Sequence, residues 1–575
     1  MTEHARAELI VTGGKIYTSD PAREWAEAIG VADGMIMAVG TNSEVRALAG
    51  ASTKILELDG QLVLPGFSDG HAHLGLGGGQ AAWELPILPT DSKEAILEKV
   101  RSWGEKLGPD EWIIGGIVGA TVMDEIMNTA DLAALDAAAG GRPVLLRDDS
   151  MHNRWVNSRA MEIMEVRADT PDPEGGTYVR DDTGALTGVL HELASAVAEA
   201  AADAAVPDPD ARNKVSLQTA LRTLNSFGIT SVQDAATMEY SWKALNSLES
   251  DGEITAWVVG SMPARNFIEA GVVGEELFKI ADAHRSTHVR PDFVKFVLDG
   301  IPMTRTSAML RPYICHHSHD DPDFNGAPLW THDDLVEALE LCYERGYGGK
   351  LHATGDAAVR LVLDAVEEVR RRHGFGPIFQ IAHVEFIEPT DIARFAELQV
   401  VPDASPYIWY PSVIQDSIAK QIPEETVNSS WPTKDLLDAG AMLAAGSDWP
   451  CALPSPDPWT GLETLITRRN PDPAVKGVLN EPQRLNVAEA IAAFTRNPAQ
   501  AMGLADTTGM IREGLSADFI VVDRNLFEID PGSIHQTRVL QTYFEGRKVY
   551  DRSAPMTEHA SQATATAETP APLSS

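Results

Sequence analysis

Cysteine is scarce in this sequence of 575 residues: only Cys315, Cys342 and Cys451 occur, and none belongs to a C-x-x-C pair. This scarcity argues against a disulfide framework or a cysteine-zinc module, and it fits a reducing cytoplasm. No stretch approaches the ~18 apolar residues needed to span a bilayer. The first residues also lack the basic segment and apolar run of a signal peptide. We therefore expect a soluble cytoplasmic protein.

Basic residues are also few, with 46 Lys and Arg against 84 Asp and Glu, which gives a formal charge of −38. A surface this negative repels phosphate backbones and anionic lipids, so we expect neither a nucleic-acid nor a membrane partner. Hydrophobic residues at 44% and charged residues at 23% are ordinary for a soluble globular enzyme. The chain exceeds the ~250–300 residues of a usual single core, which predicts a large barrel with attachments or two to three domains.

Short apolar runs separated by helix-like stretches dominate the middle of the sequence. Alternation of strand and helix favours a parallel sheet, and eight strands is the number found in a (β/α)8 barrel. We therefore predict an α/β fold built on a (β/α)8 TIM-like barrel. The eight predicted strands are Leu62–Phe67, Gly228–Asp234, Ile254–Val259, Asp292–Asp299, Gly349–Ala353, Phe379–Val384, Gln399–Pro402 and Ala441–Asp448.

The two ends of the chain and one long insertion do not follow the barrel repeat. Residues 1–64 and 501–551 read as short strands with glycine turns, and we predict that they form the two parts of one small β-sandwich. The barrel is assigned to residues 65–500. It includes an insertion at about 75–206, too long for a usual βα connection, which we expect to form a subdomain over the barrel mouth. Residues 552–575, rich in Ala, Thr, Ser and Pro, are predicted to be a disordered tail.

His71-Ala72-His73 follows the first predicted strand. Residues two apart on a strand face the same way, so both imidazoles can point to one side. Neutral imidazole is a good ligand for zinc and similar divalent ions. A surface turn or a hydrogen-bonded histidine pair is the alternative for this motif alone.

Polar side chains also end other predicted strands: His352, His383 and Asp448. In barrels of this kind the carboxyl ends of the strands carry the active site, so these side chains should converge with His71 and His73. Several imidazoles and one carboxylate predict a nitrogen and oxygen site for a divalent cation. Independent buried residues would require several unrelated coincidences at one rim.

Lys295 lies inside the apolar run 293–297 of the fourth predicted strand. A buried, unpaired ammonium is costly, which leaves several alternatives open. The amine can be neutral and act as a base or Schiff-base former, or it can react with CO2 to become an anionic bridge between two metals. It can also pair with Asp299 or point outward between helix and sheet.

Several blocks spread along the chain resemble the amidohydrolase superfamily, and most closely its YtcJ-like branch, amidohydrolase family 3, which includes N-substituted formamide deformylases. The resemblance covers nearly the whole chain. It implies a metal-dependent hydrolase. The blocks are Pro65–His73, His152–Ser158, Thr187–Glu192, Val294–Gly300, His352–Ala358, Gly446–Pro450 and Gly514–Asp523.

The resemblance also implies roles for the residues that end the strands. The predicted metal ligands, for one or two divalent ions with zinc favoured, are His71, His73, Lys295, His352, His383 and Asp448. Asp448 is also the predicted catalytic base and acid. Lys295 matches the position at which many superfamily members carry a carboxylated lysine that bridges two metals, and Glu192 is the rival bridging carboxylate. A homodimer is a further expectation.

The implied reaction is hydrolysis of a C–N bond in a small amide, either an N-substituted formamide or an N-acyl amine. Alternatives on the same scaffold are lactone or ester hydrolysis, deamination and non-hydrolytic C–C cleavage, or a binding or regulatory protein without turnover. Trp155 and Asn157 have the alternative role of stabilising the insertion itself. Where relatives tend to have Ser-Leu-Gly, this chain has Ile301-Pro302-Met303, which suggests a more apolar pocket. The candidate substrate contacts are His152, Trp155, Asn157, Met303, Arg305 and Trp449.

Overall fold

The computed structural model describes residues 6–148, 153–173, 175–266, 271–315, 321–451 and 453–554. These residues divide into two compact units, one formed by residues up to 75 together with those from 220 onward, and one formed by residues 76–219. Within the described residues, no helix combines the length and the apolar character needed to cross a membrane. The predicted tail beyond residue 554 lies outside the described residues.

The N-terminal segment forms short strands joined by glycine-containing turns. At Asp33-Gly34, both residues have positive φ (51° and 74°), which is the backbone of a tight hairpin turn. The first helix begins after Thr41, whose side chain and that of Glu44 form a capping box. The elements are β1 (Ala7–Thr12), β2 (Lys15–Tyr17), β3 (Trp25–Ala26), β4 (Ala28–Ala32), β5 (Met35–Gly40), α1 (Asn42–Arg46), β6 (Ala49–Glu57) and β7 (Leu62–Pro65). Four of these strands form a sheet in the order β5-β4-β1-β6.

The first barrel strand is β8 (Phe67–Ala72), and it differs from the prediction. The predicted strand Leu62–Phe67 is divided at Gly66: Leu62–Pro65 pairs with strands of the chain termini, and only the residues from Phe67 onward enter the barrel. At Gly66 an added Cβ would lie 2.1 Å from Oγ1 of Thr230, so the close approach to the next barrel strand requires glycine.

The unit formed by residues 76–219 has its own mixed sheet, in the order β13-β14-β12-β11-β10-β9. Two separate apolar clusters pack within this unit, which explains why it is compact by itself. Its elements, including two helices that extend past its limits, are α2 (Leu74–Trp83), β9 (Leu85–Pro86), α3 (Lys93–Gly104), β10 (Ile113–Val118), α4 (Ala120–Glu125), α5 (Thr129–Ala139), β11 (Val144–Asp148), β12 (Asn153–Val156), α6 (Ser158–Ile163), β13 (Gly176–Arg180), β14 (Leu186–Glu192), α7 (Leu193–Ala204) and α8 (Pro209–Ser226).

The central sheet contains eight parallel strands in the order β21-β20-β19-β18-β17-β16-β15-β8. The strands and the helices around them are β15 (Ile229–Asp234), α9 (Glu239–Ser250), β16 (Trp257–Pro263), α10 (Gly274–Ala283), β17 (Val289–Val297), α11 (His332–Arg345), β18 (Gly348–Ala353), α12 (Asp356–His373), β19 (Phe379–His383), α13 (Ile392–Glu397), β20 (Val400–Ala404), α14 (Val413–Gln421), α15 (Glu424–Val427), α16 (Thr433–Asp438), β21 (Ala444–Ala445), α17 (Pro458–Thr467), α18 (Val487–Ala493) and α19 (Arg496–Ala501). Short 3₁₀ turns occur at Pro302–Thr304, Pro389–Asp391 and Glu481–Gln483.

The eight-stranded parallel sheet confirms the prediction of a TIM-like barrel. β15 and β20 are buried along their whole length, as expected when helices cover a parallel sheet. Besides the first strand, several other strand limits were predicted wrongly, with the largest errors in the third and eighth strands. The third barrel strand starts at Trp257 rather than Ile254 and continues to Pro263, and only Ala444–Ala445 of the predicted run Ala441–Asp448 is strand.

The C-terminal strands β22 (Phe519–Val522), β23 (Val539–Phe544) and β24 (Arg547–Asp551) join strands of the N-terminal segment. Their sheet has the order β24-β23-β22-β7-β2-β3, with β22 antiparallel to β7, and a 3₁₀ turn at Pro531–Gln536 precedes β23. Strands from both ends of the chain therefore share one sheet. One apolar cluster contains residues of this sheet and of the four-stranded sheet, among them Val11, Val63 and Phe519.

Candidate metal centre

Three potential metal ligands meet at the carboxyl end of the barrel strands. His71 and His73 lie at the end of β8, and Asp448 follows β21. One ligand atom from each of the three side chains lies within 4.8 Å of the others. Oδ1 of Asp448 is 3.6 Å from Nε2 of His71 and 3.4 Å from Nε2 of His73. Two imidazoles and a carboxylate at these distances could hold one divalent cation.

Backbone contacts between the first and last barrel strands hold this group in place. The N–H of Asp448 donates to the carbonyl of His71 at 2.6 Å, and the N–H of His73 donates to the carbonyl of Trp449 at 2.7 Å. A Cβ at Gly446 would lie 2.2 Å from the backbone nitrogen of His71, so this approach requires glycine. Asp448 itself has φ = 56°, a strained conformation for a non-glycine residue that occurs often at functional sites.

The orientation of the His71 ring is fixed by a buried ion pair, Asp403 and Lys350. Its Nδ1 lies 2.9 Å from Oδ2 of Asp403, which also accepts a hydrogen bond from Nζ of Lys350 at 2.6 Å. Because the carboxylate accepts, Nδ1 carries the proton and Nε2 presents its lone pair toward Asp448. Burial and the nearby Lys295 and Lys350 ammonium groups hold the pKa of His71 well below its usual range, which favours the neutral imidazole that binds metals.

His352 and His383 lie beside this group, at the ends of β18 and β19. The ring centroids are 4.6 Å apart for His352 and His383, and 5.0 Å apart for His71 and His383. Nε2 of His352 donates to the carbonyl of Gly300 at 3.0 Å, so Nδ1 is the nitrogen with a free lone pair. Burial and Lys295 lower the pKa of His352 to about 4. His383 has φ = 76°, a second strained residue at this rim.

Lys295 is buried on β17, and its Nζ lies 3.5 Å from Nε2 of His71. Burial and the neighbouring Lys350 lower its pKa to about 8. No carboxylate of the described residues lies within 4 Å of Nζ, whereas Lys350 is paired with Asp403. The alternative that Lys295 pairs with Asp299 therefore has no support in the geometry, and the side chain points toward the histidines.

Asp448 is the anionic member of the group. Burial alone would raise its pKa, but a hydrogen bond from His73 and the neighbouring His383 outweigh this effect and lower the pKa. For His73, burial opposes the charged form, yet Cys451 and Asp448 raise its pKa to about 10. An ionised carboxylate at the rim can accept a proton from water or bind a cation.

Two further buried carboxylates, those of Asp69 and Asp299, stabilise the loops at the carboxyl end of the barrel strands. Asp69 accepts hydrogen bonds from the N–H groups of His71 and Ser447 at 3.0 and 2.9 Å. Asp299 accepts from the N–H groups of Thr354 and Gly355 at 3.0 and 2.9 Å. Burial raises the pKa of each to about 6, and these bonds oppose the shift. Both side chains hold the loops that follow the ligand-bearing strands.

The candidate substrate residues of the insertion serve its own packing where the structure describes them. Trp155 is fully buried in an apolar cluster of the unit 76–219. The side chain of Asn157 accepts from the N–H groups of Val144 and Ala160 and donates to the carbonyl of Arg142, so it caps α6. These contacts favour the alternative that both residues stabilise the insertion. His152 lies outside the described residues.

The remaining candidate residues outside the insertion, and the rival carboxylate Glu192, differ in how deeply their side chains are buried. Trp449 is 2% exposed, and its Nε1 donates to the carbonyl of Pro454. Met303 is half-buried in the 3₁₀ turn after β17, and the Arg305 guanidinium packs over Phe324 at 5.3 Å. Glu192, the rival bridging carboxylate, is exposed at the end of β14.

Asp403 and Lys350 were not predicted from the sequence, although both support His71. Asp403 ends the seventh barrel strand, where the same strand-end reasoning would have found it, but that strand was predicted to stop at Pro402. Lys350 is a charged residue inside a buried strand, as is Lys295, and that signal was present in the sequence.

A comparison with models of protein families gives a match over most of the chain. The sequence profile of the amidohydrolase family matches residues 54–550. Amidohydrolase YtcJ of Bacillus subtilis (strain 168) is 28% identical over 94% of this chain and 99% of its own length. N-substituted formamide deformylase of Arthrobacter pascens is 26% identical over 95% of this chain and 99% of its own length. A crystal structure of a metal-dependent hydrolase from Pyrococcus furiosus has a TM-score of 0.71 at 23% identity, covering 90% of this chain and 99% of that one, which shows a shared fold.

Proposed function

Because this chain belongs to the amidohydrolase family, we propose that it is a metal-dependent hydrolase of the C–N bond in a small amide, most specifically an N-substituted formamide or an N-acyl amine. The observation that carries this proposal is the convergence of His71, His73 and Asp448 within 4.8 Å at the end of the barrel strands. The name of the Arthrobacter pascens relative supports the formamide.

The donor set fits a divalent cation, with zinc favoured. His71 presents Nε2 because Asp403 holds its other nitrogen, and His352 presents Nδ1 because Gly300 holds the other one. Such outer hydrogen bonds orient imidazoles for metal binding. His383 and Lys295 complete the proposed ligand set.

When bound, the cation supplies Lewis acidity, which lowers the pKa of water toward ~7 and polarises a carbonyl group. Asp448 accepts the proton of the attacking water and later delivers it to the leaving nitrogen. The neighbouring His383 helps to keep Asp448 ionised, against the effect of burial. Asp403 keeps His71 in one tautomer throughout.

Lys295 is proposed to be carboxylated. Its Nζ is buried, has no acidic partner within ion-pair distance among the described residues, and lies beside His71. Reaction of the ammonium with CO2 forms the N–C bond, releases two protons and replaces a buried cation by an anion, which would relieve the cost of the unpaired ammonium. The product could bridge two cations.

The proposal is tested by metal analysis and by turnover. Protein purified without chelator should contain roughly one or two equivalents of zinc or another divalent metal. It should also release amine from a panel of N-alkylformamides and N-acetylamines, and lose this activity on treatment with a chelator. Metal-free protein that stays metal-free after supplementation, or metal-loaded protein that hydrolyses lactones but no amide, would contradict the proposal.

The architecture outside the barrel is also part of the proposal. We propose that the two sheets containing the terminal strands form one β-sandwich, because one apolar cluster contains residues of both sheets. We also propose that the protein works in a reducing cytoplasm, because three cysteines are too few for a disulfide framework.

A further inference from the structure

The carbonyl group of Gly300 accepts two hydrogen bonds, and one of them comes from the candidate metal ligand His352. Nε2 of His352 lies 3.0 Å from the carbonyl oxygen, and Oγ1 of Thr354 lies 2.8 Å from it. A carbonyl oxygen has two lone pairs and no proton, so both neighbours donate to it. The accepting capacity of this oxygen is therefore filled, and Nδ1 is the nitrogen that His352 can offer to a cation.

The surroundings of Thr354 direct its hydroxyl proton to Gly300. The other acceptor on this side, Oδ2 of Asp299, is farther from Oγ1, at 3.4 Å. Oγ of Ser307 lies 2.6 Å from Oγ1 of Thr354. Because the Thr354 proton is used on the carbonyl, the Ser307 hydroxyl donates to the Thr354 oxygen. Both side chains are buried, which limits competition from water. A chain of donors thus runs from Ser307 through Thr354 and ends on the Gly300 carbonyl.

The peptide unit that carries this carbonyl is also anchored at its other end. The Gly300 carbonyl and the N–H of Ile301 belong to one planar unit. This N–H donates to Oγ1 of Thr306 at 3.0 Å. Thr354 is itself held in the loop after β18, where its carbonyl accepts from the N–H of Phe386 at 3.1 Å. The orientation of the carbonyl toward His352 therefore depends on Thr306 on one side and on the Thr354 hydroxyl on the other.

We propose that Thr354 is a positioning residue of the metal centre: its hydroxyl holds the Gly300 carbonyl, and this carbonyl selects the tautomer in which His352 presents Nδ1 to the cation. The inference rests on the proposed metal-dependent function and adds a residue outside the predicted ligand set. Outer hydrogen bonds of this kind orient ligand imidazoles, and their loss weakens metal binding by about 10–100-fold. Without the hydroxyl, the peptide unit can turn away, and the His352 proton can move to the other nitrogen.

The test uses two substitutions at one position. Thr354→Val removes the hydroxyl at nearly constant size, and Thr354→Ser keeps the hydroxyl. The matched control is Ser307→Ala, which removes a buried hydroxyl that contacts Thr354 but leaves the bond from Thr354 to Gly300. Thr354→Val and Ser307→Ala should both lower Tm, because each breaks a buried hydrogen bond. Only Thr354→Val should change the metal centre, and Thr354→Ala takes its place if Thr354→Val does not fold.

The first measurement is NMR of ¹⁵N-labelled histidine in the full-length protein, freed of metal by a chelator. The spectrum shows which ring nitrogen carries the proton, and the His352 signals are identified by their loss in His352→Gln. The wild type, Thr354→Ser and Ser307→Ala should carry the proton on Nε2, whereas Thr354→Val should show both tautomers. A wild type with the proton on Nδ1 overturns the inference without any variant. A proton that stays on Nε2 in Thr354→Val also overturns it.

The second measurement is zinc affinity, by competition with a chromophoric chelator. Thr354→Val should bind zinc about 10–100-fold more weakly than the wild type, and Thr354→Ser and Ser307→Ala should stay within about threefold of it. Equal affinity in Thr354→Val and the wild type overturns the inference. An equal loss in Ser307→Ala also overturns it, because the effect would then come from a destabilised interior rather than from the Gly300 carbonyl.

These results separate the inference from the proposed function. If amides are not hydrolysed while the tautomer and the zinc affinity both depend on the Thr354 hydroxyl, the proposed reaction is contradicted and the positioning role of Thr354 stands. If amides are hydrolysed and zinc affinity is unchanged in Thr354→Val, the proposed function stands and the inference is overturned. A wild type that binds no zinc overturns both.

Discussion

Nδ1 of His71 lies 2.9 Å from Oδ2 of Asp403, and this contact connects the candidate metal centre to the barrel interior. The same carboxylate oxygen is 2.6 Å from Nζ of Lys350, which also donates to the carbonyl of Gly70 and to Gln380. One buried carboxylate thus orients a metal ligand and neutralises a buried ammonium. Loss of this carboxylate should affect both metal affinity and stability.

Asp403→Asn should weaken metal binding by about 10–100-fold, because His71 loses the acceptor that fixes its tautomer. It should also lower the free energy of unfolding by ~3–5 kcal/mol, because Lys350 keeps a buried charge without an anion. Competition with a chromophoric chelator measures the first effect, and denaturant unfolding the second. The double variant Lys350→Met/Asp403→Asn should recover much of the stability without recovering the metal affinity. Unchanged affinity in the single variant would separate Asp403 from the metal centre.

Asp448→Asn should lower kcat by about 10²–10⁴-fold on any substrate found, because the amide cannot accept the proton of water. The histidines should retain most of the metal, so elemental analysis distinguishes lost chemistry from a lost cation. Asp333→Asn, whose side chain is fully exposed on α11, serves as the control. A fully active Asp448→Asn variant would remove this residue from the mechanism.

Lys295→Ala should lose metal if the lysine is carboxylated and bridges two cations, and short-chain carboxylates such as propionate should restore part of the metal content and activity. The physical reason is that a small carboxylate can occupy the space and the charge position of the missing carbamate. Lys420→Ala, an exposed lysine on α14, should show no change. Metal content that stays the same in Lys295→Ala would argue for a neutral amine instead.

Asn157→Ala should destabilise the unit 76–219 by ~1–3 kcal/mol, because it removes a helix cap and leaves the buried N–H of Val144 without an acceptor. Kinetic constants of the folded protein should not change. Asn128→Ala is the matched control, because it removes the cap of α5 in the same unit; it should also lower stability and leave the kinetic constants unchanged. A raised KM at unchanged Tm would restore Asn157 as a substrate contact.

The barrel was predictable because its strands are short apolar runs, but their exact limits were not. Gly66 divides one apolar run between two sheets, and only contact with Thr230, distant in sequence, shows where the division falls. His71 and His73 were identifiable from their spacing on a strand. Asp403 was not identified, because its strand was predicted to stop one residue before it. The burial of Trp155 similarly depends on the insertion's own sheet.

The antiparallel pairing of β7 with β22 has a consequence for the synthesis of the protein. Leu62–Pro65 leaves the ribosome ~450 residues before its partner Phe519–Val522 does, a delay on the order of half a minute or more at ~5–20 residues per second. Throughout that interval one edge of an apolar strand lacks its neighbour and offers unpaired backbone groups to other nascent chains. The yield of folded protein should therefore depend more on the supply of chaperones during translation than on the stability of the native state.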